Sequence, residues 1–161
     1  MTGGNEGFLS PKDWTVLIVR FTIAVVLFPH GAQKLLGWWG GAGYNDTMLF
    51  FTETVGLPYL IGLLVILIEF FCPLLLLVGI AIRYAAGLIM IVMIGVIVTV
   101  QNQYFFMNWF GTQEGEGMEF FLLMIGLCCV LVVNGGGRVS LNLLLARRTR
   151  LISGSQNPGL K

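Results

Sequence analysis

Apolar runs occupy most of this chain, and the few polar positions inside them are widely spaced. Four runs approach the roughly 20 residues needed to cross a bilayer as a helix: about 14–37, 58–79, 84–100 and 118–133. Ser10 followed by Pro11 reads as a helix start, with Ser10 as N-cap and proline at the first helical position. Trp14 suits an interfacial anchor, and the sequence GWWGGAG at 37–43 ends the first span with aromatic residues at interface depth. Residues 45–56 place Met48, Phe51 and Val55 on one face behind Asp46 as N-cap, which predicts a short interfacial helix. Pro29 and Pro73 lie inside spans and predict kinks.

The remaining segments are connections and tails. Residues 79–83 form a tight turn, and 101–117 (QNQYFFMNWFGTQEGEG) mixes aromatic residues with acids, as an interfacial loop does. NGGGR at 134–138 stops the last span. Residues 1–12 read as a polar, Gly-rich tail, and 139–161 as a basic tail whose segment SLNLLLARRTRL is amphipathic and suited to a membrane surface. Residues 153–161 have the composition of a disordered end.

Composition narrows the class. Hydrophobic residues make up 57% and charged residues only 11%, with a mean hydropathy of +0.87, whereas soluble domains carry about a quarter charged residues. The expected fold is all-α: a transmembrane four-helix bundle with a short extracytoplasmic interfacial helix. A net charge of +1 and no basic-aromatic patch argue against nucleic acid as a partner and leave membrane lipids. Cys72, Cys128 and Cys129 lie in apolar runs without metal-ligand spacing and read as small hydrophobes. The N-terminus lacks a cationic leader and a cleavage site, so the first span reads as a retained signal-anchor.

Charge in the connections sets the orientation. One side carries Lys12, Arg83, Arg138, Arg147, Arg148, Arg150 and Lys161, and the other carries Asp46, Glu53, Glu114 and Glu116 without a loop cation. The positive-inside rule then puts both termini in the cytoplasm of a bacterial-type inner membrane.

Within the spans, Arg20, His30 and Lys34 share a stripe. His30 and Lys34 are one turn apart, and Arg20 lies roughly 40° away at about 100° per residue. A mid-helix Arg or Lys costs about 2.5–3.5 kcal/mol to insert, so the stripe must face protein, water or a ligand. The orientation places His30, Lys34, Glu69 and Glu119 together in the outer half of the bundle. Arg20 sits deeper, within reach of Glu69 or a backbone carbonyl, and Arg83 lies at the inner boundary as an anchor.

These residues, in this order, resemble the DoxX/DoxD-like family of four-span membrane proteins. The matching pieces are Arg20, His30-Gly31 with Lys34-Leu35, Glu69, Gly79-x-x-x-Arg83-Tyr84-Ala85-Ala86, Glu119 and Gly135-x-Gly137, covering roughly 13–138. The family takes its name from a membrane subunit of a thiosulfate:quinone oxidoreductase, and other members are associated with quinone-linked redox and oxidative stress. The resemblance implies an accessory subunit in a quinone-linked membrane assembly. This chain departs from the family pattern in its long basic tail and in having no clear Asp after the Gly-x-Gly turn.

Two readings of the buried charges stand side by side. As structure, Arg20, Lys34, Glu69 and Glu119 are ion pairs that fix helix register. As a site, His30 and Lys34 hold a quinone headgroup or pass protons, with Glu69 accepting or delivering them. A lone histidine excludes bis-histidine haem within one chain, and His30, Glu69 and Glu119 make a thin metal set. The Gly-rich stretches lack the strand–turn–helix context of a nucleotide site. No intrinsic cofactor and no activity alone are expected. Quinone is the candidate ligand, and other membrane subunits or further copies are the expected protein partners. A transporter is the weakest reading, because no inverted repeat is visible.

Overall fold

The computed structural model describes residues 9–101 and 103–137. Among these, every regular element is helical: α1 (Pro11–Leu36), α2 (Gly43–Leu49), α3 (Tyr59–Val78), α4 (Ile82–Thr99) and α5 (Glu119–Asn134). A single 3-10 turn, Trp38–Gly40, follows α1, and a π-helical turn, Phe50–Thr54, continues α2. The expected N-terminal tail over residues 1–8 and the amphipathic tail at 139–161 lie outside the described residues.

Local chemistry sets the helix ends. The Ser10 hydroxyl accepts the Asp13 backbone N–H while the Asp13 carboxylate accepts the Ser10 N–H, a reciprocal capping box that starts α1. Gly37 (φ 71°) and Gly79 (φ 83°) stop α1 and α3 in the left-handed region, where a side chain is strained. Pro29 and Pro73 sit inside continuous helices. Asp46 does not cap α2 as expected. The helix begins at Gly43, whose lack of a Cβ permits φ +74°, and this puts Asp46 inside the first turn.

α1 packs most extensively on α3, α3 on α4, α4 on α5 and α5 back on α1, which closes a four-helix bundle. Cross-helix contacts fix the directions: Arg20 meets Leu76, Lys34 meets Glu69, His30 meets Phe120 and Arg83 meets Val133. Neighbours therefore run antiparallel. Trp14, Arg20, Arg83 and the Gly135–Gly137 turn share one end, and Trp38, Trp39 and Trp109 lie towards the other.

The core is apolar and fully enclosed, with Val16, Ile23, Leu27, Leu76, Ala86, Ile89, Met93, Cys128 and Leu131 at its centre. Met48 and Phe51 pin α2 and its π-helical turn onto Ile66 of α3, with Val55 partly buried beside them, which is the face expected from the sequence. The outside of the bundle is equally apolar: Ile18, Phe21, Leu60, Ile91, Val98 and Leu123 are all exposed. Such a belt has no place in water, and it marks the bilayer-facing surface of a membrane protein. Three helices, α1, α3 and α4, have the length and hydropathy to cross a membrane. α5, at 16 residues, spans about 24 Å of the roughly 30 Å hydrocarbon core. Cys72 and Cys128 are buried as expected, but Cys129 is exposed, with its Sγ 3.6 Å from the Met90 sulfur.

Candidate membrane-embedded polar site

The site begins with a glycine. A Cβ on Gly31 would lie 2.5 Å from the Glu69 carbonyl carbon and 2.6 Å from the Phe70 nitrogen, so only glycine lets α1 approach the α3 backbone this closely. Lys34 follows three residues later on the same side, and its ammonium forms an ion pair with the Glu69 carboxylate. Burial is lopsided: the Glu69 side chain is 2% exposed and that of Lys34 31%. Glu69 is sealed in the protein, whereas Lys34 faces partly outward.

His30 lies one turn before Lys34 and is exposed, its ring 6.2 Å from that of Phe120 at the start of α5. On the opposite flank of α1, Phe28 and Phe70 pack at 5.5 Å and close the α1–α3 seam. The arrangement is a buried carboxylate behind a half-exposed ammonium, with an exposed imidazole and an aromatic ring beside it. It can donate hydrogen bonds outward from Lys34 and His30 while Glu69 balances the charge.

Two of the expected residues are employed elsewhere. The Arg20 guanidinium reaches carbonyls rather than Glu69: Nε donates to Leu76 O at 2.9 Å, Nη2 to Leu77 O at 3.3 Å and Nη1 to Gly136 O at 3.4 Å. It thereby satisfies the otherwise orphaned carbonyls at the end of α3, where a cation also complements the helix dipole. Arg83 does the same for α5 through Val133 O at 3.2 Å. Glu119 does not join Lys34. Its Oε1 accepts the Met107 N–H at 2.9 Å and the Trp109 indole N–H at 3.3 Å, so it clasps the α4–α5 connection. Its neighbour Phe120 still links it to His30.

The sequence left three of these features unread. Glycine one turn before Lys34 was the visible sign of the α1–α3 contact. Phe120 beside His30 and Trp109 on Glu119 depend on chain crossings that periodicity does not encode. Among the described residues no cluster of His, Cys, Asp and Glu side chains is arranged to hold a metal ion.

The DoxX family model matches residues 15–102. That is more than half of the chain. The protein belongs to the DoxX family. No curated protein and no solved structure matches it. The DoxX match runs from the first turns of α1 to the end of α4. It therefore takes in Arg20, His30, Lys34, Glu69 and Arg83, and it stops before Glu119 and the Gly135-x-Gly137 turn. As a DoxX protein with three membrane-length helices, it is a multi-pass membrane protein.

Proposed function

We propose that this DoxX-family protein is a membrane subunit serving quinone-linked redox chemistry, with His30, Lys34 and Glu69 as the site that meets the quinone headgroup or relays its protons. The observation that supports this reading is the asymmetry of the Lys34–Glu69 pair, closed on the carboxylate side and open on the side of Lys34 and His30. A pair serving only to lock two helices has no need of an exposed cation and imidazole next to it. The donor set suits a neutral ring bearing carbonyl oxygens, because lysine has three N–H donors and only some are spent on Glu69. A quinone would supply the electron-carrying capacity. The chain supplies two donors and a buried carboxylate that can exchange protons with them.

By the positive-inside rule the end carrying Arg20 and Arg83 faces the cytoplasm, which puts the site in the outer half of an inner membrane. The redox centre that exchanges electrons with the quinone belongs to a partner subunit. Glu119 borders the site through Phe120, and Arg20 serves the bundle rather than the ligand. A second reading, a purely structural subunit, is favoured by one observation: Lys34–Glu69 and the Arg20 contacts each tie α1 to α3.

Purification in mild detergent, with mass spectrometry of copurifying proteins and extraction of quinones, separates the two. Stoichiometric quinone with the wild type, lost in a folded His30→Ala variant, is the expected result. A copurifying complex without quinone would make the protein a structural subunit.

A further inference from the structure

The connection between α4 and α5 is cross-linked by its own polar groups and carries a row of exposed rings. In a loop facing water, side-chain amides and acids point outward and aromatic rings tuck in. Here Asn108 and Gln113 are half-buried and bond to each other, while Glu114 and Glu116 stay exposed. The Asn108 Nδ2 donates to Gln113 O at 3.0 Å, while its Oδ1 accepts the Gln113 N–H at 3.1 Å. Glu116 accepts the Asn108 N–H at 3.1 Å, and Glu119 takes the Met107 and Trp109 donors.

The rings face outward. Phe105 and Phe106 are exposed, Trp109 is 79% exposed and Phe110 90%. The base of the loop is fastened by its own backbone, Met118 N–H to Tyr104 O and Glu119 N–H to Phe105 O, both 3.0 Å. Gly117 permits this closure, since a Cβ there would lie 2.6 Å from the Phe105 oxygen and closer still to the Phe106 carbonyl. The loop is thus a fixed object that presents rings outward.

We infer that residues 103–118 form a wedge docked into the outer leaflet of the protein's own bilayer, with zwitterionic lipid as the occupant of the aromatic face. Continuity is the first reason. Val98 and Val100 at the end of α4 and Leu122 and Leu123 at the start of α5 are exposed on either side of the loop, so its rings extend the bilayer-facing belt. Depth is the second. α5 falls short of the hydrocarbon thickness by about 6 Å, and aromatic residues at interface level fill that depth. Partial satisfaction of the loop's backbone within itself is the third: the Met107, Asn108 and Gln113 N–H groups donate to side chains of the same connection, which lowers the cost of irregular backbone at interface level. Charge selects the lipid: the segment holds Glu114 and Glu116 and no Lys or Arg, so it has nothing with which to attract anionic headgroups.

The test uses the full chain with Trp14, Trp38 and Trp39 replaced by Phe, which leaves Trp109 as the sole indole. It is reconstituted in phosphatidylcholine vesicles containing phospholipids brominated at shallow or deep acyl positions. The expected result is that shallow bromines at least halve Trp109 emission, deep bromines quench it less, and aqueous iodide quenches it weakly, with no change when phosphatidylglycerol is added. Free quenching by iodide without bromolipid quenching would place the loop in water and overturn the inference. Shielding from both quenchers would show the face covered by a second copy, and would overturn it equally. Should the triple variant fail to fold, Phe110→Cys in a Cys129→Ser background, spin-labelled, gives the same reading through its accessibility to oxygen against a water-soluble nickel chelate. Greater exposure to the chelate is the refuting outcome there.

Discussion

Replacing Gly31 by alanine tests the geometry of the polar site without touching a charge. The added Cβ would sit 2.5 Å from the Glu69 carbonyl carbon and 2.6 Å from the Phe70 nitrogen. Both are backbone atoms of α3, so no side chain can swing aside. Comfortable carbon contacts lie at about 3.5–4.0 Å, so the two helices must part by roughly 1 Å. Overpacking of this kind costs about 1–3 kcal/mol. Here it falls on the largest helix interface of the bundle, one turn from the Lys34–Glu69 pair. The control is Gly87→Ala or Gly95→Ala on α4, where an added Cβ meets nothing within 4 Å. In those variants the helix propensity of alanine, about 1 kcal/mol over glycine, acts alone. Equilibrium unfolding in mixed micelles, titrated with sodium dodecyl sulfate and followed by circular dichroism, should place Gly31→Ala below the wild type and both controls level with it or above. Equal midpoints for Gly31→Ala and the α4 controls would refute the close approach of α1 to α3.

The same titration addresses the charged groups. Lys34→Met strands the buried Glu69 carboxylate and should destabilise by about 3–5 kcal/mol, Glu69→Met strands only the half-exposed Lys34 and should cost less, and the double variant Lys34→Met, Glu69→Met should regain most of the larger loss; additive effects in the cycle would mean the two residues do not interact. Arg20→Met strips donors from Leu76, Leu77 and Gly136, each bond from a charged donor contributing about 1.5–3 kcal/mol, and it should destabilise more than Arg83→Met; the reverse order would contradict the deeper burial of Arg20. Glu119→Ala removes the acceptor of both bonds and should release the clasp on the α4–α5 loop, seen as amide hydrogen exchange at Met107 about tenfold faster, the equivalent of ~1.4 kcal/mol; unchanged exchange would mean the side chain does not hold the loop.

Spans were legible in the sequence because a bilayer demands unbroken apolar runs, and each expected span overlies α1, α3, α4 or α5 to within a few residues. The Ser10 cap was legible for an equally local reason. Asp46 was misread because an acid near a helix start serves as well inside the first turn as at the cap, and the glycine at 43 decided the matter. Lys34 and Glu69 share a depth on antiparallel spans, which the sequence shows, but which of the candidate charges pair was not legible there. Glu119 shared that depth and still turned away, because the loop offered it backbone and indole donors nearer than any cation. Arg20 had two acceptors open to it from sequence, a carboxylate or a carbonyl. The end of α3 offered adjacent carbonyls in a planar fork's reach, and the guanidinium took those.

That choice bears on how the protein is made. Span one carries a guanidinium whose acceptors are synthesised 56, 57 and 116 residues later. Lys34 waits 35 residues for Glu69. During synthesis α1 therefore reaches the membrane before Leu76, Leu77 and Glu69 exist, and full release into lipid would deny Arg20 and Lys34 these acceptors. The first helix has reason to linger beside the insertion machinery until α3 arrives, so that the two enter the bilayer as a hairpin, with the last turn joining only when α5 is complete.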